Sequence, residues 1–283
     1  MVRDKLTEAG NLLRLRGKSD TPALDCRILL VEALSIEVEE LSMHMADRLS
    51  DEVLEMFDHY LERRLKGEPV SKIVGKKSFW GHEFFVDDRV LDPRQDSETM
   101  IEAIVEDFSQ QMASGHRMKI LELGLGSGCL LLTLLKLFTS ATGVGVDIDG
   151  ESLEVAKKNA KILEIDNVTM VLGNWNYNMY EQFDIILSNP PYVRTDDIAS
   201  LQEEIRLYEP TIALDGGTDG LQCFREIAGS IAINTHRHSK IYLEVGCGQR
   251  DDVIEIFKKK DFKFIRAKKD LGQIDRVLVF GMV

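Results

Sequence analysis

The pattern that most constrains the fold is an alternation of short apolar runs and helical stretches that begins at Met118. Each apolar run has the length and composition of a β-strand, and a helical stretch separates most of them. Such alternation predicts a mostly parallel sheet with helices on both faces. No helical stretch separates the last two strands, so we expect that pair to be antiparallel. The predicted strands are Lys119–Leu123, Gly143–Ile148, Val168–Leu172, Phe183–Ser188, Ile241–Val245, Phe262–Ile265 and Arg276–Phe280.

A glycine-rich loop follows the first predicted strand. Gly124–Gly128 has glycine at alternate positions, which permits a tight turn and lets a ligand approach the backbone closely. A dinucleotide-binding fingerprint would place its last glycine at Cys129, so the spacing favours S-adenosylmethionine over NAD. Asp147 ends the next strand about 20 residues further on, where a carboxylate can accept both hydroxyls of a ribose. The loop and the acid together predict a nucleoside-containing cofactor.

The segment Asn189-Pro190-Pro191-Tyr192 follows an apolar strand, at the edge where open α/β sheets bind their ligands. Its prolines withdraw two N–H donors and leave a stiff loop that displays carbonyl oxygens. The Asn189 side-chain oxygen and the Pro190 carbonyl can bind both hydrogens of a planar NH2 group, and Tyr192 adds an aromatic face. These acceptors would stabilise the positive charge that develops on nitrogen. We predict methylation of an amide or amino nitrogen, with Asn189, Pro190 and Tyr192 as catalytic residues.

Three segments with different patterns suggest the domain organisation. Residues 1–72 read as helices throughout, which predicts a small N-terminal helical domain. Residues 73–93 contain two short aromatic runs around Gly81-His82 and are predicted to form a β-hairpin linker. Residues 94–283 contain the glycine loop and the alternating strands, so they are predicted to form the methyltransferase domain.

Composition excludes several classes of partner. The net charge of −13 argues against a nucleic acid, whose phosphates require a basic face. No apolar run approaches the roughly 20 residues of a membrane span, and the charged N-terminus is unlike a signal core. We therefore expect a cytoplasmic protein without a membrane partner. The four cysteines are scattered without a C-x-x-C pair and the six histidines lack metal-ligand spacing, so neither disulfides nor a metal are expected.

Two stretches near the predicted site allow two interpretations each. Trp175 follows the third predicted strand, where it could pack against an adenine ring or fill the core. Tyr208–Pro210 and Ala213–Gly217 form a polar, glycine-rich stretch after the catalytic segment. This stretch could shape the mouth through which a substrate enters, or it could be an ordinary loop.

The chain as a whole resembles the HemK-type protein-(glutamine) methyltransferases, which act on peptide chain release factors. The motif Asn189–Tyr192 alone is shared with adenine-specific DNA methyltransferases, whereas its combination with the helical domain and the hairpin is more specific. The matching segments are Arg63-Arg64, Gly67-Glu68-Pro69, Gly75–Val86, Leu91-Asp92-Pro93-Arg94, Gly124–Gly128, Asp147, Trp175, Asn189–Tyr192, Glu209-Pro210 and Gly216-Gly217. The chain departs from the residues usual in the family at Gln95, Ser97, Glu122, Leu125 and Asn174.

The resemblance implies a seven-stranded, Rossmann-like, class I S-adenosylmethionine-dependent methyltransferase domain, with a small N-terminal helical domain and a β-hairpin linker. It implies transfer of a methyl group to the side-chain amide nitrogen of a glutamine in a Gly-Gly-Gln loop. A release factor is the implied partner, the helical domain is expected to dock it, and a monomer is expected. The predicted cofactor contacts are Gly124, Leu125, Gly126, Ser127, Gly128, Asp147, Trp175 and Asn189. The predicted substrate contacts are Asn189, Pro190, Pro191 and Tyr192.

Three other functions remain open on the sequence. An enzyme that methylates a glutamine of a ribosomal protein would carry the same motif. An adenine-specific nucleic-acid methyltransferase would require a basic cleft and usually has a target-recognition domain, and the sequence shows neither. A methyltransferase-like binding module is disfavoured because Asn189 and Asp147 are both present.

Overall fold

The computed structural model describes residues 1–175 and 181–282, and the chain divides into two compact units. The first unit contains Met1–Lys76 and Gln202–Tyr208. The second contains the described residues of Lys77–Leu201 and Glu209–Val283. Sequence patterns do not indicate that Gln202–Tyr208 returns to the first unit, because this stretch is short and mostly polar.

Helices and strands alternate through most of the second unit, as the sequence predicts. The α-helices of the described residues are α1 (Val2–Arg16), α2 (Pro22–Leu34), α3 (Asp51–Leu65), α4 (Val70–Val74), α5 (Glu98–Ser114), α6 (Cys129–Leu137), α7 (Gly150–Ile162), α8 (Glu203–Tyr208), α9 (Gln222–Ser230) and α10 (Arg250–Lys258). The strands are β1 (Lys76–Phe79), β2 (His82–Phe85), β3 (Lys119–Leu123), β4 (Thr142–Asp147), β5 (Val168–Leu172), β6 (Ile185–Ser188), β7 (Lys240–Glu244), β8 (Phe262–Lys269) and β9 (Asp275–Met282). Short 3-10 helices cover Val38–His44, Gln95–Ser97, Thr195–Ser200, Thr211–Ala213 and Ile231–Asn234. Among these described helices, none combines the length and the apolar character needed to span a membrane.

The first unit is built from helices that pack their apolar faces together. Pro22 begins α2, where its missing N–H costs no helical hydrogen bond. At the start of α3 the Ser50 hydroxyl accepts a hydrogen bond from the Val53 N–H, which caps the helix. Leu13 and Phe57 are fully buried between these helices. The helical character predicted for the N-terminal region is therefore present.

Ion pairs attach α8 to the other helices of the first unit. Nε of the buried Arg64 in α3 lies 2.7 Å from Oδ2 of Asp25 in α2, and its Nη1 lies 3.1 Å from Oε2 of Glu204 in α8. Nζ of Lys18 lies 2.7 Å from Oε2 of Glu203. A buried guanidinium is tolerated when it is paired in this way. These contacts hold the chain between residues 202 and 208 against the N-terminal helices.

The second unit contains a seven-stranded sheet in the order β5-β4-β3-β6-β7-β9-β8. Strands from β5 to β7 are parallel, whereas β9 is antiparallel to both β7 and β8. Helices α5, α6 and α7 cover one face, and α9 and α10 cover the other. This architecture confirms the predicted fold, including the antiparallel pair at the end of the chain. The strand order reverses between β3 and β6, which is where open sheets bind ligands.

Only β3 and β5 have both predicted ends; β4 and β7 are shifted by one residue, and β6, β8 and β9 differ by one to four residues at one or both ends. Strand β6 begins at Ile185, because the Phe183 N–H donates to the Asn234 carbonyl outside the sheet. Strand β8 continues past Ile265 to Lys269 and pairs with β9 across a β-bulge. It lies at the edge of the sheet, where polar residues are common and hide a strand from an apolar pattern.

A two-residue turn joins β1 and β2. Trp80 and Gly81 both have positive φ, 50° and 74°, which is typical of the type I′ turns that suit the twist of a hairpin. The turn therefore lies one residue before the predicted Gly81-His82. Within the second unit, the buried Asn159 side chain of α7 bonds both backbone groups of Phe85, so β2 is tied to that helix.

Candidate active site

A cavity of about 240 Å³ opens at the carboxyl ends of β3 and β6, where the strand order reverses. The two strands are paired, and the Ser188 hydroxyl donates to the Leu123 carbonyl with 2.6 Å between the oxygens. The glycine loop and the catalytic segment therefore leave the sheet side by side. The predicted site residues on the cavity wall are Gly124, Leu125, Gly126, Ser127, Asp147, Trp175, Asn189 and Pro191.

The glycine loop turns through left-handed backbone. Gly124, Gly126 and Gly128 have φ of 76°, 54° and 78°, a region that other residues rarely adopt. A Cβ on Gly126 would meet no atom of the described residues within 4 Å, so the described part of the chain leaves the space above it open to a ligand. A Cβ on Gly124 would lie 3.2 Å from the Trp175 ring, which packs against the loop. A Cβ on Gly128 would instead lie 3.0 Å from the Leu132 side chain of α6. This glycine therefore allows close packing at the start of the helix.

Asp147 stands beside the loop at the end of β4. Its carboxylate oxygens accept hydrogen bonds from the backbone N–H groups of Gly126, at 2.7 Å, and Asp149, at 3.0 Å. Burial raises the pKa of this carboxyl, and the two N–H groups oppose the rise. Each oxygen keeps a further lone pair. The side chain can therefore accept two ligand hydroxyls while it also holds the loop in place.

These groups fit S-adenosylmethionine. The open backbone over Gly126 admits a ligand close to the loop, and Asp147 supplies acceptors for the two hydroxyls of a ribose. The Trp175 ring and the exposed Ile148 side chain also line the cavity, and they offer apolar surface to a flat base. The donors and acceptors of the cavity thus match the parts of a nucleoside cofactor.

Hydrogen bonds connect Asn189 to a buried acid. Asn189 Nδ2 donates to Ser97 Oγ at 3.2 Å, and Ser97 Oγ donates to Glu244 Oε2 at 2.5 Å. The Tyr192 hydroxyl donates to Glu244 Oε1 at 3.4 Å. Because β6 and β7 are paired, Asn189 and Glu244 stand at the same end of neighbouring strands. Two members of the catalytic segment are therefore fixed by one carboxyl group.

Glu244, the acid in this network, has an unusually high pKa. Burial raises the pKa of Glu244 to about 7, although the Ser97 hydroxyl and the charge of Arg276 lower it. Burial also raises the pKa of Tyr192 to about 12, so the phenol keeps its proton and can donate it. Glu244 therefore changes its charge in the neutral pH range.

We expect Glu244→Gln to be more stable than the wild type in alkaline solution. The pKa of Glu244 rises from its ordinary 4.5 to about 7 on folding, which corresponds to about 3 kcal/mol. Stability from a raised carboxyl pKa is complete below the unfolded pKa and is lost as the pH rises through the folded one. Thermal unfolding between about pH 5 and about pH 9 measures this effect. The stability of Glu244→Gln relative to that of the wild type should increase as the pH rises.

The matched control for this prediction is Glu154→Gln, which removes an exposed acid that pairs with Lys157. Its stability relative to the wild type should vary little with pH, because exposed pairs contribute little. A constant difference between Glu244→Gln and the wild type at every pH would show that Glu244 ionises normally in the folded protein.

The catalytic segment is braced by the loop that follows β7. Gln249 Nε2 donates to the Tyr192 carbonyl at 3.0 Å and to the Gly220 carbonyl at 3.1 Å, while its Oε1 accepts from the Gly246 N–H. A Cβ on Gly216 would come within 2.8 Å of the Tyr192 Cα, so the backbone approaches the segment closely at that point. The segment is therefore held on both sides by described residues of the same unit.

Residues after 208 form one border of the cavity. Glu209 is buried, accepts a hydrogen bond from the Asp92 N–H at 3.2 Å and forms an ion pair with Arg94 at 2.6 Å between Oε1 and Nη2. Pro210 and Ile212 follow on the cavity wall. Of the two interpretations of this stretch, the structure supports the one in which it shapes the mouth.

Three predicted site residues do not form the cavity wall. Pro190 is buried within the segment, the Tyr192 hydroxyl is directed to Glu244, and Gly128 begins α6. Trp175 packs against the apolar cluster on one sheet face, which supports its interpretation as a core residue, and it also lines the cavity, so its contact with an adenine ring stays a prediction.

Sequence reasoning assigned no role in the site to four residues that the structure places there, although Ser97 and Glu122 were noted as departures from the family. Glu122, which lines the cavity, and Glu244 carried a usable signal, because each is an acid inside an apolar strand that ends at the ligand-binding edge. Burial raises the pKa of Glu122 well above its ordinary value. Ser97 and Gln249 carried no such signal, since their partners are distant in the chain.

The reversal of strand order beneath an open glycine loop, with Asp147 beside it, defines the class of protein: a class I S-adenosylmethionine-dependent methyltransferase. The family described as "Methyltransferase domain" matches residues 114–228. A solved methyltransferase from Pyrococcus furiosus has a similar fold, with a TM-score of 0.51 and 16% identity, covering 79% of this chain and 98% of that one. Fold class and cofactor are thus as predicted.

Comparison with sequences narrows the class to a family. The family described as "PrmC N-terminal domain" matches residues 4–75. The release factor glutamine methyltransferase of Agrobacterium fabrum is 35% identical, with 99% of this chain and 96% of that protein covered. The one of Caulobacter vibrioides is also 35% identical, with 98% and 93% covered. The chain belongs to the family of release factor glutamine methyltransferases, which confirms the predicted resemblance.

Proposed function

We propose that this protein transfers a methyl group from S-adenosylmethionine to the side-chain amide nitrogen of the glutamine in a Gly-Gly-Gln loop of a peptide chain release factor. Relatives that match nearly its whole length carry the name release factor glutamine methyltransferase. The observation that carries the proposal is the orientation of the Asn189 amide, which leaves an acceptor beside the cofactor cavity. The net charge of −13 also disfavours a nucleic-acid substrate.

Two acceptors of the catalytic segment suit the two hydrogens of a primary amide. Asn189 Nδ2 is engaged by Ser97, whereas no described residue donates to Asn189 Oδ1. The Pro190 carbonyl likewise accepts no hydrogen bond from the described part of the chain. An amide nitrogen is a poor nucleophile because its lone pair is delocalised into the carbonyl group. Acceptors that bind both of its hydrogens aim the nitrogen and stabilise the positive charge that forms on it.

Bound S-adenosylmethionine supplies an electrophilic methyl group, and the electron pair of the broken bond stays on its sulfur. The substrate nitrogen gives its lone pair to the methyl carbon and then releases one proton to water. Asn189 and Pro190 orient the nitrogen and do not need to act as bases. The residues proposed to hold the cofactor are Gly124, Leu125, Gly126, Ser127, Asp147 and Trp175.

Methyl transfer from a radiolabelled cofactor, offered in parallel to a release factor, a ribosomal protein and DNA, tests the proposal. We expect the release factor to be labelled most rapidly. Preferential labelling of DNA would overturn the assignment to a protein substrate. Labelling of the ribosomal protein without the release factor would move the assignment to another glutamine.

We further propose that the N-terminal helical unit docks the folded release factor. A second contact raises the effective concentration of the glutamine at the active site. The described surface of this unit presents large apolar side chains to solvent, and Leu15 and Met43 are 85% and 71% exposed. Side chains of this kind supply the apolar contacts from which an interface is built.

We expect the double variant Leu15→Ser/Met43→Ser to raise KM for the intact release factor by roughly fivefold or more, the usual effect of losing an apolar contact in an interface. Its activity on a short Gly-Gly-Gln peptide should not change, because the peptide does not reach the docking surface. Leu271→Ser is the matched control, since Leu271 is 90% exposed in the second unit. An unchanged KM for the intact factor would exclude docking through these side chains.

A further inference from the structure

The Asn189 amide offers an acceptor to the substrate in only one of its two orientations. We propose that Ser97 and Glu244 are positioning residues for methyl transfer: the ionised Glu244 carboxylate accepts a hydrogen bond from the Ser97 hydroxyl, so that Ser97 Oγ accepts from Asn189 Nδ2 and Asn189 Oδ1 faces the substrate. The inference rests on the proposed role of Asn189. It extends that role by making the orientation of the amide depend on the charge of one buried acid.

The hydrogen-bonding capacity of a serine sets the direction of the network. Ser97 Oγ lies 2.5 Å from Glu244 Oε2 and 3.2 Å from Asn189 Nδ2, so it stands between an acid and an amide. A hydroxyl has one proton, and a carboxylate can only accept. The proton of Ser97 therefore points to Glu244, and Ser97 Oγ is left as an acceptor. Asn189 must then present its NH2 group to Ser97 and its oxygen to the other side.

Protonation of Glu244 removes this constraint. The neutral acid can donate to Ser97 Oγ, which frees the Ser97 proton to bond the Asn189 oxygen. The amide can then turn its NH2 group toward the NH2 group of the substrate, where two donors face each other. The acceptor is lost although no backbone has moved.

The placement of Ser97 supports a role in orientation. It occupies the residue before α5, where a serine usually bonds an N–H group of its own helix, yet its hydroxyl makes no such cap. The side chain is almost completely buried and is directed to Glu244 instead. The Tyr192 hydroxyl bonds the other oxygen of the same carboxyl group. Glu244 therefore contacts the catalytic segment through two separate hydrogen bonds.

Opposing charges surround Glu244 and set the range in which it titrates. Burial raises its pKa to about 7, the positive charge of Arg276 lowers it, and the negative charge of Asp96 raises it. Nη2 of Arg276 lies 3.3 Å from Oδ2 of Asp96, so the positive charge of Arg276 acts on both carboxyl groups. The polar and titratable groups that act on Glu244 are Ser97, Tyr192, Asp96, Arg276 and Cys129. The orientation of Asn189 should therefore change near neutral pH.

The first test is the pH dependence of kcat for methylation of the release factor by the full-length enzyme. The wild-type kcat should fall as the pH drops through about 7, until it reaches the lower, pH-independent value of Glu244→Gln. Ser97→Ala should lower kcat by roughly 10- to 100-fold and abolish the acid limb, because misorientation of a reacting group costs about that much. Ser97→Thr, which keeps the hydroxyl, should restore both.

Ser239→Ala is the matched control. Ser239 is a buried serine just before β7, and it donates to the Phe183 carbonyl at 2.6 Å, at the opposite end of the strand from Glu244. This variant should keep the wild-type kcat and its acid limb. An acid limb that persists in Ser97→Ala or in Glu244→Gln would overturn the positioning role, whatever the loss of rate.

The second test needs no substrate, so it separates this inference from the proposed function. In full-length protein with isotope-labelled asparagine, the Asn189 side-chain amide resonances should titrate near pH 7 in the wild type and not in Ser97→Ala. Asn189→Asp identifies the signals. A wild type that shows the titration but leaves the release factor unmethylated contradicts the proposed function alone. Methylation of the factor without the titration contradicts the positioning role alone.

Discussion

Replacing Asn189 with alanine should lower the turnover of the release factor by about 100- to 1000-fold, the usual effect of removing one preorganised partner of a developing charge. The side chain lies on the cavity wall, and the variant lacks the Oδ1 acceptor, so the substrate nitrogen keeps a single partner at the Pro190 carbonyl. Cofactor affinity should change little, because Asp147 and the glycine loop remain intact. Steady-state kinetics and calorimetry measure the two quantities separately.

The matched control for this prediction is Asn167→Ala. Asn167 also buries part of its amide and donates to a backbone carbonyl, that of Ala141 at 2.7 Å, but it precedes β5 and does not line the cavity. Its loss should leave kcat close to the wild-type value. Near-normal turnover in Asn189→Ala would show that the rate of methyl transfer does not depend on two acceptors that bind the amide hydrogens.

Replacing Asp147 with alanine should weaken the binding of S-adenosylmethionine by roughly 1–3 kcal/mol, or about 5- to 150-fold in Kd. Two effects add: the ribose loses its acceptors, and the Gly126 N–H loses the partner that lies 2.7 Å away. The glycine loop that is proposed to hold the cofactor is therefore released at the same time. Titration calorimetry with the demethylated product measures the loss without turnover.

Asp149→Ala separates this effect from a general loss of negative charge. Asp149 lies two residues further on and does not line the cavity, and its side chain caps α7 by accepting from the Glu151 and Ser152 N–H groups. Loss of the cap should cost about 1 kcal/mol of stability and leave Kd unchanged. Equal weakening in both variants would mean that Asp147 acts through charge and not through direct contact.

Local patterns account for the parts of the fold that the sequence predicts well. Strands β3 and β5 have the predicted bounds, because short apolar runs bordered by polar and turn residues mark strands. The position of Asn189 at the ligand-binding edge also follows from local order, since an apolar strand immediately precedes it. Features that depend on neighbouring residues in the chain can therefore be read from the sequence.

Features that depend on distant partners were not predicted. Ser97 and Glu244 are separated by 147 residues, and only the packing of α5 against the sheet brings their oxygens to 2.5 Å. The attachment of Gln202–Tyr208 to the first unit likewise depends on Arg64, which lies far away in the chain. No periodicity marks such contacts, because each is set by the three-dimensional arrangement of complete elements.

Tandem mass spectrometry of a release factor after reaction with the wild-type enzyme and S-adenosylmethionine tests the central claim most directly. We predict a single added methyl group on the side chain of the glutamine in the Gly-Gly-Gln loop, and no such product with Asn189→Ala. A methyl group on another residue, or an unmodified factor in the presence of active enzyme, would contradict the account.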